Sequence, residues 1–237
     1  MQLFYLPEID SGMEEVVFSK DESRHLVQVL RKREGDTVTA TNGRGLEVEL
    51  QITSASPKSA TASVLERKLH GAPSPRIHMA VAPTKMNDRF EWFLEKATEI
   101  GVDRFTPLIC ERSERRKVKL DRFQRVVDSA AKQSLKRFFP IVEPPMDFGT
   151  FMAKYGHKQG YIAHCMEGKK SELFKAIETS PEHIVLIGPE GDFTPAELEL
   201  ALEKDYVPVG LGQQRLRTET AAVVAAHSIV LGTRILR

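Results

Sequence analysis

Across residues 1–70, apolar and polar positions alternate in short runs. Val16-Val17-Phe18, Thr37 to Ala40, Leu46-Glu47-Val48-Glu49-Leu50 and Ala62 to Leu65 each have the length and period of a half-buried strand. Thr41-Asn42-Gly43-Arg44-Gly45 lies between two of them, and Asn-Gly tolerates the positive φ of a hairpin turn. One helix interrupts the series: Ser19 and Glu22 have capping-box spacing, and Leu26, Val29 and Leu30 follow at helical intervals. Many short strands in so small a unit predict a compact β-barrel.

Gly71-Ala72-Pro73-Ser74-Pro75 breaks the pattern as an extended linker, so 71–75 divides a domain 1–70 from a domain 76–237. Beyond it the period switches. Ile77 to Val81 predicts a strand, and Phe90, Phe93, Leu94, Ala97 and Ile100 form one helical face ending at Gly101. Arg104 to Cys110, Tyr161 to Cys165, Ile184 to Ile187 and Tyr206 to Val209 predict further strands. Between them lie helices carrying Phe123 to Leu135, Leu173 to Ile177 and Pro195 to Glu203, with a last one from Thr218 to Leu236. Alternation of this kind predicts an α/β domain with a mainly parallel sheet and helices on both faces. The last helix, Ala221 to Leu236, is apolar nearly all round, which predicts deep burial or cover by a second subunit.

Composition changes this picture little. With 41% hydrophobic and 28% charged residues the chain can bury a core and stay soluble, and no apolar run is long enough to span a bilayer. Met1 to Pro7 lacks the basic start and apolar stretch of a signal peptide, so a cytoplasmic protein is expected. Cys110 and Cys165 each follow an apolar run, which predicts two buried strand thiols, no disulfide and no metal site. The net charge of +1 does not mark a nucleic-acid binder, but eleven Lys/Arg stand against four Asp/Glu between Arg104 and Arg137. That excess makes either a basic binding surface or an ordinary solvated face.

Two strand-ending loops carry the candidate chemistry, because ligands of parallel sheets bind beyond the strands' C-terminal ends. In Ile187-Gly188-Pro189-Glu190-Gly191-Asp192-Phe193-Thr194, the glycines permit close approach of a ligand, and Thr194, Pro195 and Glu197 start a helix with a capping box. The second loop runs from Gly210-Leu211-Gly212 through Gln213-Gln214-Arg215 to Leu216-Arg217-Thr218-Glu219-Thr220. There Thr218 suits the N-cap and Glu219 the positive end of the helix dipole, which leaves Arg217 without a structural reason. P-loop, G-x-G-x-x-G, G-x-S-x-G and H-E-x-x-H patterns are all missing.

The two loops, in this order near the C-terminus, resemble those of the SPOUT methyltransferases, whose C-terminal segment forms a trefoil knot. Within that superfamily the chain is similar throughout its length to the ribosomal RNA small subunit methyltransferase E family, which methylates N3 of a uridine in 16S rRNA. His25 to Arg31 with Gly35-Asp36 resembles the family's N-terminal signature, and Lys85, Arg89 to Trp92 and Lys96 to Val102 its central one. Ile187 to Thr194 and Leu216 to Ala221 resemble its cofactor loops. Asp192 stands where the family has a glycine, Lys132 where it has Glu, and Gln213-Gln214-Arg215 departs from its usual approach to the last motif.

The resemblance implies a PUA-like RNA-binding β-barrel ahead of a knotted methyltransferase domain, S-adenosylmethionine (SAM) as cofactor, 16S rRNA or the 30S subunit as partner, and a homodimer. It implies a cofactor site of Ala163, His164, Ile187, Gly188, Pro189, Glu190, Gly191, Leu211, Gly212, Leu216, Thr218 and Ala221. Arg217 and Glu219 are the catalytic candidates, Arg217 for charge on a uracil oxygen and Glu219 for the N3 proton, with solvent as the rival acceptor. RNA-binding candidates are Arg24, His25, Arg31, Lys85, Arg112, Arg115, Arg116 and Arg137, each also readable as a solvated surface charge. A SPOUT enzyme acting on another RNA and a non-catalytic RNA-binding assembly factor are the alternatives.

Overall fold

The alternation over residues 1–70 becomes one curled sheet. In the computed structural model, which describes residues 3–235, the strands are β1 (Leu3–Tyr5), β2 (Glu15–Val17), β3 (Thr37–Thr41), β4 (Leu46–Ser54) and β5 (Thr61–Leu69), in the order β1-β3-β4-β5-β2. All pairs are antiparallel except β1 with β3. Along β4, Leu46, Val48, Leu50 and Ile52 point into a core with Phe4, Phe18 and Leu26, while Glu47, Glu49 and Gln51 face outward. Among the described residues no pairing joins β1 to β2, and the sheet curls into a half-barrel. α1 (Lys20–Arg24) starts on Ser19, whose hydroxyl accepts the Glu22 N–H at 3.3 Å, and runs on into a π-helical stretch over His25–Val29.

This first compact unit comprises residues 1–73 together with 131–139. The returning segment packs on the β3–β4 turn. Gly45 has φ +100° and donates its N–H to the Arg137 carbonyl at 2.9 Å; a Cβ there would lie 2.4 Å from the Phe138 ring. Phe139 stacks on Tyr5 at 4.2 Å. No periodicity within 1–70 reveals that nine residues from elsewhere complete the unit.

The second unit, residues 74–130 and 140–237, contains β6 (Arg76–Val81), α2 (Asn87–Ile100), β7 (Arg104–Ile109), most of α3 (Leu120–Gln133), β8 (Ile141–Val142), β9 (Met146–Asp147), α4 (Phe148–Tyr155), β10 (Gly160–Ala163), β11 (Ser171–Glu172), α5 (Leu173–Ala176), β12 (Glu182–Ile187), α6 (Pro195–Leu202), β13 (Val207–Gly210) and α7 (Thr218–Ile235). Leu236, the expected end of the last helix, lies outside the described residues. The sheet order is β11-β13-β10-β12-β6-β7-β8, with β9 on β7, and every pairing is parallel.

Successive strand residues serve opposite faces. Ile77, Met79, Val81, Val185 and Ile187 enter a core with α2, α3, α5 and α7; Ala80, Ala82, Ile184 and Leu186 enter a second core with α4 and α6. Both faces are buried, which is why these strands read as continuous apolar runs. α7 buries Ala222, Ala225, Ala226 and Ile229 at helical spacing, but Leu231 stays 43% exposed, so one face of this helix is deeply buried rather than all of it. Among the described residues no helix is long and apolar enough to cross a membrane.

Candidate functional site

β10, β12 and β13 are adjacent and parallel, so their C-terminal ends open side by side. The loops leaving them enclose a cleft of about 1110 Å³. All twelve expected cofactor residues line it, from Ala163 and His164 after β10, through Ile187, Gly188, Pro189, Glu190 and Gly191, to Leu211, Gly212, Leu216, Thr218 and Ala221. Arg217 and Glu219 line it too, as do Arg89, Cys165, Lys170, Glu172 and Asp192, which the sequence reading left out of the site.

The first loop is braced throughout. Thr194 and Glu197 make the expected capping box: the Thr194 hydroxyl accepts the Glu197 N–H at 3.2 Å, and the Glu197 carboxylate accepts the Thr194 N–H at 2.8 Å. The other Glu197 oxygen accepts the Glu111 N–H at 2.8 Å. The Arg112 guanidinium donates to the carbonyls of Gly191 (3.0 Å) and Phe193 (3.2 Å), and the Glu190 carboxylate accepts the Lys85 N–H at 3.2 Å. Arg112 and Lys85 are both RNA-binding candidates; the Arg112 guanidinium is tied to the loop, whereas Lys85 is tied to it only through its backbone N–H and its ammonium stays exposed.

The second loop is held more lightly. Gly212, at φ +101°, donates its N–H to Glu172 at 3.0 Å. Thr218 corrects the N-cap expectation. It is the first residue of α7, the Ala221 N–H bonds the Arg217 carbonyl, and the Thr218 hydroxyl donates to the Gly188 carbonyl at 3.3 Å. Thr218 thus links the two loops, and Arg217 occupies the cap position. The Arg217 side chain is exposed and has no hydrogen-bond or ion-pair partner among the described residues. Glu219 is 8% exposed, with Arg89 Nε 3.7 Å from its carboxylate.

His164 is buried in the cleft wall, and neither ring nitrogen has a partner among the described residues. Burial, with the Lys170 ammonium adding to it and Asp192 opposing, pushes its pKa below the ordinary imidazole range. The neutral ring therefore offers one donor and one acceptor to whatever enters. Cys165 corrects another expectation: β10 ends at Ala163, so this thiol sits in the following loop and is exposed, whereas Cys110 is buried.

The remaining cationic candidates divide between the units. In the first, Arg24 is exposed with its Nε on Gln28 (3.0 Å), His25 lies 3.8 Å from Glu22, and Arg31 is exposed at φ +55°. Arg137 is half-buried and committed to Glu47 and to the Leu135 carbonyl, so it anchors the returning segment. In the second, Arg115 bonds Asn87, Arg116 donates to the Glu111 carbonyl at 2.7 Å, and Lys85 Nζ meets Glu114 at 3.1 Å. Among the described residues no group of three His, Cys, Asp or Glu side chains is arranged to hold a metal ion.

Comparison with known proteins agrees with this architecture. A family described as "RNA methyltransferase domain" matches residues 72–230, and one described as "RNA methyltransferase PUA domain" matches residues 18–65. Ribosomal RNA small subunit methyltransferase E of Bacillus subtilis is 31% identical over 92% of this chain and 90% of its own length. Its namesake in Synechocystis is 33% identical over 90% and 72%. The crystal structure of the Neisseria gonorrhoeae protein of that name, bound to S-adenosyl methionine, superposes with a TM-score of 0.86 at 31% identity, over 97% of this chain and 96% of that one. With matches of this extent in both halves, the chain belongs to the ribosomal RNA small subunit methyltransferase E family, RNA methyltransferases that carry a PUA domain ahead of the methyltransferase domain.

Proposed function

We propose that this protein binds SAM in the cleft beyond β10, β12 and β13 and methylates N3 of a uridine in 16S rRNA. The observation that carries the reading is Arg217: an exposed guanidinium, without a partner among the described residues, on the same cleft as two glycine loops. The cleft suits the cofactor. At about 1110 Å³ it has room for a nucleotide-sized ligand, its walls offer glycine backbone on two loops, and His164 presents two unsatisfied ring nitrogens inside it. The names of the relatives support a small-subunit rRNA substrate, and the Neisseria structure supports the cofactor.

SAM, when bound, would supply a methyl group on a sulfonium, the N3–methyl bond forming as the methyl–sulfur bond breaks and S-adenosylhomocysteine leaves. The work left to the protein is to align the uridine and favour loss of its N3 proton. Arg217 stabilises the negative charge that spreads onto a uracil carbonyl oxygen as that proton leaves. Glu219, held beside Arg89, or a solvent molecule takes the proton. The first unit and the basic stretch between Arg104 and Arg137 hold RNA through phosphates and shape. The same reading carries the trefoil knot, a homodimer and the cytoplasm, where assembling 30S subunits are found.

The test is methyl transfer from labelled SAM to 30S subunits lacking their own uridine-N3 methylation, followed by nucleoside analysis of the 16S rRNA. Label in 3-methyluridine is the expected result. Label in another nucleoside, or none, overturns the assignment.

A further inference from the structure

Asp192 is one of four non-glycine residues with positive φ among the described residues, at +62°. Glycine adopts that conformation freely, whereas an L side chain resists it, so something must hold an aspartate there. Its carboxylate does. One oxygen accepts the Phe193 N–H at 2.9 Å, and the other reaches across the cleft wall to the Cys165 N–H at 2.8 Å, 27 residues away in sequence. The loop that begins at His164 is then closed on itself by Lys170, whose ammonium donates to the carbonyls of His164 (3.0 Å) and Met166 (2.8 Å). It ends in β11, where Glu172 accepts the Gly212 N–H at 3.0 Å. The loop after β10 is therefore bonded to the first glycine loop at its start and to the second at its end, each time by a carboxylate on a backbone N–H.

We infer that Asp192 and Glu172 are positioning residues for the cofactor, forming a clasp that fixes the spacing of the three loops before ligand enters. This rests on the cofactor reading given above. Hydrogen bonds to an ionised carboxylate are stronger than neutral ones, so two of them hold the wall at little length of chain. Without them the ligand must order the loops itself, and affinity falls by that ordering cost. Neither side chain needs to touch the reacting atoms, so the loss shows in KM for SAM rather than in kcat.

Binding of S-adenosylhomocysteine to the full-length protein, followed by calorimetry, tests this with Asp192→Gly, Asp192→Asn and Glu172→Ala. Glycine relieves the backbone but removes both acceptors; asparagine keeps one acceptor oxygen, enough for the Cys165 N–H, and gives up the bond to Phe193. The clasp requires Asp192→Gly and Glu172→Ala to bind about ten-fold more weakly, Asp192→Asn to stay within about three-fold of the parent, and the ligand-free melting temperature to be unchanged. Asp192→Gly binding as tightly as the parent overturns it, because backbone geometry alone would then suffice. A loss that follows a fall in ligand-free melting temperature overturns it too, as a purely structural effect. A parent protein that takes up no S-adenosylhomocysteine fails the cofactor reading itself, which is a different result from parent binding that the variants leave unaltered.

Discussion

The two ends of the parallel sheet use polar side chains in opposite ways. Toward the start of β6 and β7, on the α4 face, Glu143 accepts from the Tyr155 hydroxyl at 2.7 Å and from Arg104 at 2.9 Å, with Lys154 at 3.4 Å and Thr106 at 3.3 Å. His78 is buried beside them, its Nε2 2.8 Å from the Thr106 hydroxyl and its ring edge-on to Tyr155. Of these groups only His78 Nδ1 lacks a partner among the described residues. Beyond the ends of β10, β12 and β13, both His164 nitrogens lack a partner among the described residues, and so does the Arg217 side chain. Buried polar groups cost stability unless bonded, so a cluster saturated at all but one nitrogen reads as framework, and a histidine unpartnered at both nitrogens on a cleft wall reads as a place kept for a ligand.

The largest effect should come from removing the unsaturated end's cation. Arg217→Ala is expected to cut turnover by about 100-fold or more, the usual loss for one electrostatic donor to a developing anion. SAM affinity should stay within about three-fold, since the interaction forms mainly as uracil charge develops. Single-turnover transfer and calorimetric binding, measured together, separate the two; turnover equal to the parent would sink the role given to Arg217.

At the saturated end the expected effect is on stability alone. Glu143→Ala strands Arg104 and frees the Tyr155 hydroxyl. A fully buried pair so broken costs about 3–5 kcal/mol, but Arg104 and Lys154 keep 34% and 50% of their side-chain exposure, so about 2 kcal/mol is the better expectation. Thermal unfolding should show it, and SAM binding below the new melting temperature should not change. A variant that loses affinity but not stability would reverse the comparison.

What the sequence made legible follows the range of the interactions involved. Thr194 and Glu197 are three residues apart, and their capping box was readable as written. The alternation of β4 and the face of α2 were readable for the same reason, each being set by a period of a few residues. Both catalytic candidates and all twelve cofactor candidates fall on one cleft because strand-ending loops of a parallel sheet must. Contacts over longer separations carry no local signal. Asp192 to Cys165, Glu172 to Gly212 and Arg112 to Gly191 span 27, 40 and 79 residues, and none was foreseen. The one hint at Asp192 was its departure from a family glycine, which marked the position without saying what the side chain does. Thr218 was misread because a threonine at a helix start has two uses, capping its own helix or bonding elsewhere, and only the position of Gly188 decides.

The smallest effect sharpens the saturated end through its histidine. Burial first, and then Arg104, push the His78 pKa down to about 3, although Glu143 works against them. In the unfolded chain the same imidazole titrates near the ordinary value of about 6.5. Between those values the unfolded state binds a proton that the folded state refuses, so stability rises with pH there and is lost as pH falls. Below pH 5 the carboxylates titrate as well, so the clean window is pH 6.5 to about 5. Across it the parent's melting temperature should fall with acid, and the His78→Gln variant should show a shallower slope whatever its absolute stability. His164 and His183, also held below the usual range, leave a residual slope of the same sign. The direct check is the ring Cε1–H resonance of His78, expected to stay constant from pH 7 to pH 5. A shift through that range would mean that the cluster admits a proton, and that this end of the sheet is less saturated than its hydrogen bonds indicate.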